Sequence, residues 1–341
     1  MSVSVGLLGL GFMAATHLKA CRQIPGIRVV ALCNPSGRHL DGDFSGVQGN
    51  VGSEDAVRLD MNAIGAYRDV DAFLRHPGLD LVDICSPTLA HADQSLRALA
   101  AGKHVLCEKP VARTSQEARR VAEAARESGR CYMPAMCLRF WPEWAWLKEA
   151  VQSGRYGRVL AARFRRVAQP PGWGHGHFHD GKKSGGALLD LHIHDVDFVH
   201  HCFGMPTRVS AQGYSKFSGA IDHVVAQYEV ESGAIVHAEG SWAMAPGFGF
   251  SMSYTVNFEG ATADYDGARA GQTLRVFQEG RETQVPELGG PDGYAGELHH
   301  IVEAIRTGGA PTVVTPEDGY RSIRICEAEE LSIRTRGPVL L

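Results

Sequence analysis

The sequence is short of most features that announce a partner or a compartment. It has no C-x-x-C pair and no closely spaced cysteine framework: the eight cysteines, at 21, 33, 85, 107, 131, 137, 202 and 326, are scattered. A chain of this size folds without disulfide staples, so the thiols are expected to be reduced and the protein cytoplasmic. Basic charge is not in excess, since 34 Lys and Arg face 38 Asp and Glu for a net charge of −4. That balance gives no field for nucleic acid or an anionic membrane and favours a small polar partner. No stretch of about eighteen apolar residues escapes interruption by charge, so no membrane span is expected. The early apolar run VGLLGLGFMAA has no basic residue before it and carries three glycines, which makes it a strand and a turn rather than a secretory signal. Internal repeats and low-complexity tracts are also missing. What remains is a globular composition, 44% hydrophobic and 21% charged, on a chain of 341 residues, too long for one ordinary core.

Two rhythms divide the chain. From Val3 to about Gly129, short apolar runs (Val3–Leu8, Arg28–Cys33, Leu79–Cys85, Lys103–Cys107) alternate with helical segments such as His91–Ala101. Strands buried on both faces and separated by helices predict a doubly wound parallel sheet. Thr114 and Glu117 form a capping box at the start of a helix over 115–128, and Gly129 stands where a left-handed C-terminal residue belongs. After a short strand at Cys131–Met136 and a helix at Trp141–Gln152, strand-like runs joined by turns dominate 158–286, with a helical stretch over 184–203 and two helices at the end. Successive strands linked by turns predict an α+β half built on a large, mainly antiparallel open sheet. The expected domains are therefore 1–129, a Rossmann-type doubly wound sheet, and 130–341, the α+β half.

The segment GLGFMA, residues 9–14, follows the first strand and opens a helix as G-x-G-x-x-A. Gly9 permits a tight turn, Gly11 lets backbone approach a pyrophosphate, Ala14 allows close helix–strand packing, and the helix N-terminus supplies N–H donors. The second strand ends at Asn34, where an acidic residue would take the ribose 2′-hydroxyl of NAD. An amide does not repel a 2′-phosphate, and Ser36 and Arg38 are able to hold one, so NAD(P) is expected with a lean toward NADP.

Residues 86–110, SPTLAHADQSLRALAAGKHVLCEKP, carry the most specific signal. Together with the glycine turn at 9, Arg139-Phe140-x-Pro142, Gly185-Gly186 before Asp190-x-x-x-His194-x-x-Asp197, and TPEDG at 315–319, they make the chain resemble the glucose–fructose oxidoreductase / inositol dehydrogenase / MocA family over nearly its whole length. Physics adds position: Glu108 and Lys109 lie just past a parallel strand's carboxyl end, where open α/β sheets bind ligands, and Pro110 restricts Lys109. The resemblance implies cofactor contacts at Gly9, Gly11, Phe12, Met13, Asn34, Ser36, Arg38, Ser86, Thr88, His91, Glu108 and Lys109, a Lys109 that also reaches the substrate hydroxyl, and a cis Lys109–Pro110 bond. It also implies a homodimer or homotetramer through the C-terminal sheet, which antiparallel pairing with one uncovered face supports.

Residues 185–204 pack four histidines and three aspartates into an otherwise apolar stretch. On a helix, Asp190, His194, Asp197 and His201 share one face, and buried Asp and His are costly unless they pair. Asp190 and His194, four apart, are able to satisfy each other, either as a structural hydrogen bond or as an acid–base dyad facing a pocket. A metal is the third reading, because seven of the sixteen histidines fall between 175 and 201 and His175, His177 and His179 alternate. Nothing completes a coordination shell, so no metal is expected.

Hydride transfer from a carbinol carbon leaves a hydroxyl proton for a positioned base. His194 suits that task, with Asp190 orienting its ring; Lys109 either stabilises the oxygen or is itself the base. The expected substrate is a small sugar, cyclitol or related polyol, with Lys109, Arg139, Trp173, His177, Asp190 and His194 as its contacts and a mobile loop as the alternative reading of 173–179. Cys137 and His192 depart from residues frequent in the family, near the expected pocket. Gly185 and Gly186 are expected to admit substrate to the helix start. Competing readings are an NAD-dependent glycoside hydrolase, which oxidises and re-reduces one carbon, a metallohydrolase built on the histidines, and a non-catalytic nucleotide-binding regulator; retention of Lys109, Asp190 and His194 argues against the last.

Overall fold

The computed structural model describes residues 2–47, 49, 56–172 and 176–341, and the chain divides into two compact units, Met1–Phe140 with Pro291–Tyr320 and Trp141–Gly290 with Arg321–Leu341. In the first unit, β1 (Val3–Leu8), β2 (Ile27–Cys33), β3 (Gly65–Tyr67), β4 (Leu81–Ile84), β5 (His104–Glu108) and β6 (Tyr132–Ala135) form one six-stranded sheet in the order β3-β2-β1-β4-β5-β6. Every pairing is parallel. Helices α1 (Phe12–Gln23), α2 (Val70–Leu74), α3 (His91–Ala100) and α4 (Ser115–Ser128) provide the crossovers. The strand order reverses between β1 and β4, so the turns leaving those two strands open a crevice at the sheet's carboxyl edge. The capping box of α4 is complete, and Gly129 closes it in the left-handed conformation.

The division of the chain differs from the one expected at 129/130. Tyr132–Ala135 is apolar and wholly buried, and it pairs with β5 from Val105↔Tyr132 to Glu108↔Ala135. A helix far along the chain, Gly293–Thr307, packs on α1, and its Leu298, Ile301 and Val302 share a core with Val5 and Leu7. Apolar burial, which is blind to sequence distance, sets the unit's limits.

In the second unit, α5 (Pro142–Ser153), β7 (Val159–Ala168), α6 (Gly181–Ser184), α7 (Ile193–Phe203), β8 (Arg208–Tyr214), β9 (His223–Glu229), β10 (Ile235–Ser241), β11 (Phe250–Phe258), β12 (Thr262–Asp266) and β13 (Leu274–Phe277) lead to α8, the helix Gly293–Thr307 just described, and then to α9 (Pro316–Thr335) and β14 (Val339–Leu340). Eight strands run in the order β13-β12-β11-β7-β10-β9-β8-β14, antiparallel except for β7 beside β10. Burial alternates residue by residue along β8 and β9, the mark of a sheet with one packed face and one solvated face. Trp144 anchors the packed side, with the rings of Phe198 and Tyr254 edge-on at 4.7 and 5.2 Å.

The stretch expected to be helical over 184–203 is interrupted. Gly185 and Gly186 both have positive φ, and a π-helical turn over Leu188–His192 precedes α7. A Cβ on Gly186 would lie 2.5 Å from the Ile221 carbonyl oxygen, so chain packing as well as φ demands glycine there. That differs from a role in admitting substrate.

Arg166 and Asp195 form a buried pair, Nε to Oδ2 at 2.7 Å and Nη2 to Oδ1 at 3.4 Å, with the guanidinium 5.6 Å above the Trp144 ring. Replacing Arg166 by Met should therefore cost about 3–5 kcal/mol, because Asp195 is left buried and unmatched. Urea unfolding checks this; a loss below about 1 kcal/mol would show that the pair does not hold α7.

Candidate active site

The first unit presents three turns at the carboxyl edge of its sheet. Gly9, after β1, has φ +88°, and a Cβ on it would lie 2.4 Å from Ser86 N and Cα. Both the conformation and the contact require glycine, which brings the β1 and β4 turns together. Gly11 is the N-cap of α1 and has no side chain to cap with; a Cβ there would meet no protein atom within 4 Å. Packing does not account for this glycine, and the open space beside the first turn of α1 leaves room for a phosphate group. Phe12 and Met13 are half-buried at that helix start and Ala14 is fully buried. These residues fit a dinucleotide.

At the end of β2, Asn34 is occupied by its own turn. Its Nδ2 donates to the Arg38 carbonyl (2.8 Å), and its Oδ1 accepts from the Ser36 N–H (3.2 Å) and Oγ (2.9 Å). Ser36 and Arg38 are exposed beside it.

The β4 and β5 turns are tied by His91, the first residue of α3. Its ring is 1% exposed, with Nδ1 2.7 Å from the Pro110 carbonyl and Nε2 2.6 Å from the Ser86 carbonyl. Two carbonyls are satisfied only by a ring that donates from both nitrogens, which is the imidazolium. Burial acts to lower the pKa, but Cys107 and the two carbonyls outweigh it and push the ring up to about 9. His91, expected among the cofactor contacts, therefore has both nitrogens committed to backbone. The Ser86 hydroxyl donates to Gln94 Oε1, and Thr88 is buried in the turn between. Lys109 is half-buried, its peptide to Pro110 is cis as the resemblance implies, and its N–H donates to Glu108 Oε2 at 3.1 Å. The Lys109–Pro110 dipeptide is thus held by a carboxylate on one side and an imidazolium on the other.

Beneath these turns lies a cluster with no counterpart in the sequence motifs. His17 of α1 is fully buried, with Nδ1 between the two Asp83 oxygens at 2.9 and 3.0 Å. Its Nε2 is 3.2 Å from Glu108 Oε1 and 3.5 Å from Glu297 Oε1 of α8. Burial opposes protonation, yet Asp83 and the neighbouring hydrogen bonds outweigh it and hold His17 well above the ordinary imidazole value. For Glu297, burial is the leading effect, opposed by His17 and reinforced by Glu108 and Asp83, and it pushes the carboxyl up to about 8.

In the second unit, the polar residues around α7 sort by burial. His192, fully buried, sits with Nε2 3.3 Å from Tyr228 Oη and 3.4 Å from Glu329 Oε2. Asp195 is matched by Arg166, and Asp197 and His200 both meet Ser322 Oγ of α9, at 3.1 and 3.2 Å. Asp190 and His194 are instead half-exposed, one on the π-turn and one in the first turn of α7. Asp190 Oδ2 accepts from Trp242 Nε1 at 3.3 Å. The Trp242 ring lies 6.1 Å from Phe178, which lies 5.3 Å from His177, so the 177–179 loop is packed beside Asp190; His179 lies 5.0 Å from Phe217. Trp173 and His175 lie outside the described residues.

Three expectations change. Arg139, expected to contact substrate, is 5% exposed, with Nη1 2.8 Å from the Val313 carbonyl and 3.2 Å from Asp318 Oδ2; it anchors the TPEDG segment. His192 and Cys137, expected near the pocket, are buried. The sequence reading missed Gln94, His17, Asp83, Glu297 and Trp242. His17 alone had a signal, a histidine on a helix whose other buried residues are Ala, Leu, Cys and one Thr.

Comparisons with known proteins match the chain in both units. Residues 3–136 match the oxidoreductase family with an NAD-binding Rossmann fold, GFO_IDH_MocA, and residues 144–264 match the GFO/IDH/MocA C-terminal domain. The chain is 26% identical over 353 residues to scyllo-inositol 2-dehydrogenase (NAD(+)) of Bacillus subtilis (strain 168), covering 99% of this chain and 96% of that one. An NAD binding oxidoreductase from Klebsiella pneumoniae superposes with a TM-score of 0.82 at 25% identity, covering 100% of this chain and 99% of that one. A levoglucosan dehydrogenase in complex with NADH superposes with a TM-score of 0.84 at 22% identity, over 100% and 99% of the two chains.

The double donation of His91 has a pH signature. Its folded pKa, about 9, stands above the unfolded imidazole value of about 6.5, so its stabilisation is complete below pH 6.5 and is lost as pH rises through 9. The stability difference between wild type and His91→Gln should shrink by about 2–3 kcal/mol from pH 6 to pH 10 in urea unfolding. A difference that does not change with pH would contradict the imidazolium.

Proposed function

The chain belongs to the glucose–fructose oxidoreductase / inositol dehydrogenase / MocA family of NAD(P)-binding dehydrogenases, and on that premise we propose that it moves a hydride between NAD(P) and the CH–OH or ketone carbon of a sugar, cyclitol or related polyol. The observation that carries this reading is Lys109: a half-buried residue at the carboxyl end of β5, its N–H held by Glu108 and the Pro110 carbonyl after it held by His91, in a unit whose glycine turn fits a dinucleotide. Bound NAD(P) supplies the hydride acceptor or donor. The residues of the chain handle the proton.

In this reading His194 takes the hydroxyl proton in the oxidative direction and returns it in reduction. Asp190, steadied by Trp242, orients the His194 ring and balances the imidazolium that forms. Lys109 donates a hydrogen bond to the same oxygen and stabilises negative charge developing there, or takes the proton itself. What supports the pairing is exposure: within the polar run 190–200, Asp190 and His194 stay half-exposed while His192, Asp195, Asp197 and His200 are buried. His177 and, outside the described residues, Trp173 are assigned to the polyol. The relatives named for inositol and levoglucosan point to that class of substrate.

Three further parts of the proposal concern surroundings. Asn34, Ser36 and Arg38 form a turn without a carboxylate, which accommodates a 2′-phosphate and favours NADP. The exposed face of the eight-stranded sheet, with Val225 at 42% and Ile235 at 59% exposure, is the surface assigned to a homodimer or homotetramer. Free thiols at all eight cysteines, seven of them buried, suit a cytoplasmic setting, and no helix among the described residues is long and apolar enough to cross a membrane.

A panel of sugars and cyclitols with NAD and NADP in parallel, followed by nicotinamide absorbance, tests the reaction class. Lys109→Ala and His194→Ala should each lower kcat by about 10²–10⁴ while nucleotide affinity stays within a few-fold. Full turnover in either variant would remove that residue from the chemistry. Arg38→Ala should weaken NADP(H) about tenfold and leave NAD(H) within about twofold, as read by nucleotide fluorescence titration; equal effects on both would remove the lean toward NADP.

A further inference from the structure

Three carboxyl groups and one imidazole share the volume under the β1, β4 and β5 turns. The side chains of His17, Asp83 and Glu297 are 0% exposed and that of Glu108 is 7% exposed. The groups facing His17 come from every element around it: Cys21 on α1, Asp83 and Cys85 on β4, Glu108 on β5, and Tyr294 and Glu297 on α8. Burial keeps Cys21, Cys85 and Tyr294 neutral by raising their pKa values. The charges left to balance are those of His17, Asp83, Glu108 and Glu297.

Geometry fixes the balance. Nδ1 of His17 is aligned on Asp83, and Nε2 stands at ion-pair range from one oxygen of Glu108 and one of Glu297. A neutral ring would turn its lone pair toward the nearer carboxylate, Glu108 at 3.2 Å, and Asp83 outweighs burial in holding the ring well above the ordinary imidazole value, so the ring is the cation. Two anions, Asp83 and Glu108, already exceed that single positive charge. A third would be a buried charge without compensation; neither Glu297 oxygen makes a hydrogen bond among the described residues, nor does His17 Nε2, whose contact with Glu108 at 3.2 Å is an ion pair. A neutral Glu297 resolves the conflict. Glu108 is the member that reaches out of the cluster, because its other oxygen accepts the Lys109 N–H.

We propose that His17 is a positioning residue: gripped at Nδ1 by Asp83, it holds the Glu108 carboxylate, and through it the Lys109 main chain, and this hold lasts only while Glu297 keeps its proton. When Glu297 ionises, its carboxylate competes with Glu108 for the same Nε2 and the lysine loses its support. The proposal rests on the reading of Lys109 as the group that meets the substrate hydroxyl, but its first test does not.

That test compares the nucleotide-free wild type with Glu297→Gln, whose amide imitates the neutral acid in shape and charge. Glu297 keeps its proton in the fold up to about pH 8 and gives it up near pH 4.5 when unfolded, so folding should lose ground in the wild type alone across that window. The melting temperature of Glu297→Gln should therefore pull ahead of wild type as pH rises from about 4.5 to about 8, then keep a constant lead. In turnover assays, wild-type kcat should fall with a midpoint near pH 8 and Glu297→Gln should show no such fall. His17→Gln should lower kcat about tenfold or more with the nucleotide KM within about threefold, which separates positioning from cofactor binding. Parallel pH curves for wild type and Glu297→Gln would overturn the proposal. So would one equivalent of divalent metal bound by the purified wild type and lost with His17→Gln, since the cluster would then be a metal site. Should His17→Gln fail to fold, the Glu297→Gln comparison decides alone. A Lys109→Ala variant that turns over normally would instead sink the functional reading, leaving the pH-dependent melting result to stand or fall separately.

Discussion

A charge taken out of water needs a partner of opposite sign within a few ångströms, and the pairing of buried charges orders both units of this protein. In the first unit the His17 imidazolium, set between Asp83 and Glu108, ties α1 to β4 and β5, while His91 ties the β4 turn to Pro110 and Arg139 ties the 313–318 segment. In the second, Arg166 meets Asp195, and His192 meets Tyr228 and Glu329. These partnerships consume most of the titratable side chains that a motif search would nominate. Lys109, Asp190 and His194 are only partly buried as residues. Burial thus separates polar groups that hold the fold together from those proposed for chemistry.

The same constraint explains what could be read from the sequence. Features written in a few consecutive residues were legible: the glycine turn at 9–14, the capping box at Thr114 and Glu117, the left-handed Gly129, the strand ending at Glu108, and hence a doubly wound sheet followed by an antiparallel one. Features that depend on a partner far along the chain were not. Nothing local to His17 names Glu297, which lies 280 positions later, and nothing local to Arg139 names Asp318. For the same reason nothing local shows that the helix at Gly293–Thr307 packs on α1 in the first unit. The run 185–204 shows residue types suited to a site but not their sorting, because a helical wheel drawn from Asp190 assumes a regular helix. Left-handed glycines at 185 and 186 and the π-turn over Leu188–His192 break that regularity. Burial then divides four histidines and three aspartates that looked alike.

Glycine illustrates how different two positions in one motif are. Gly9 is fixed by the protein itself, through its φ and the Ser86 backbone, whereas Gly11 borders open space. The first is a requirement of folding, whereas no packing requirement fixes the second. A similar contrast separates Gly186, held by the Ile221 backbone, from the half-exposed Asp190 that follows it. The family match extends over both units, yet residues thought to distinguish this chain's substrate, Cys137 and His192, lie in the interior, so specificity is better sought beside Asp190, where Trp242, Phe178 and His177 line up.

The central claim is that Lys109 and His194 act on one hydroxyl. A double-mutant cycle on kcat/KM for the best polyol substrate tests it most directly, using Lys109→Ala, His194→Ala and the double variant. Groups that serve the same oxygen in one transition state are not independent, so the double variant should be about as slow as the slower single variant. Losses that multiply in full would mean that the two residues work separately, and the shared site would have to be abandoned.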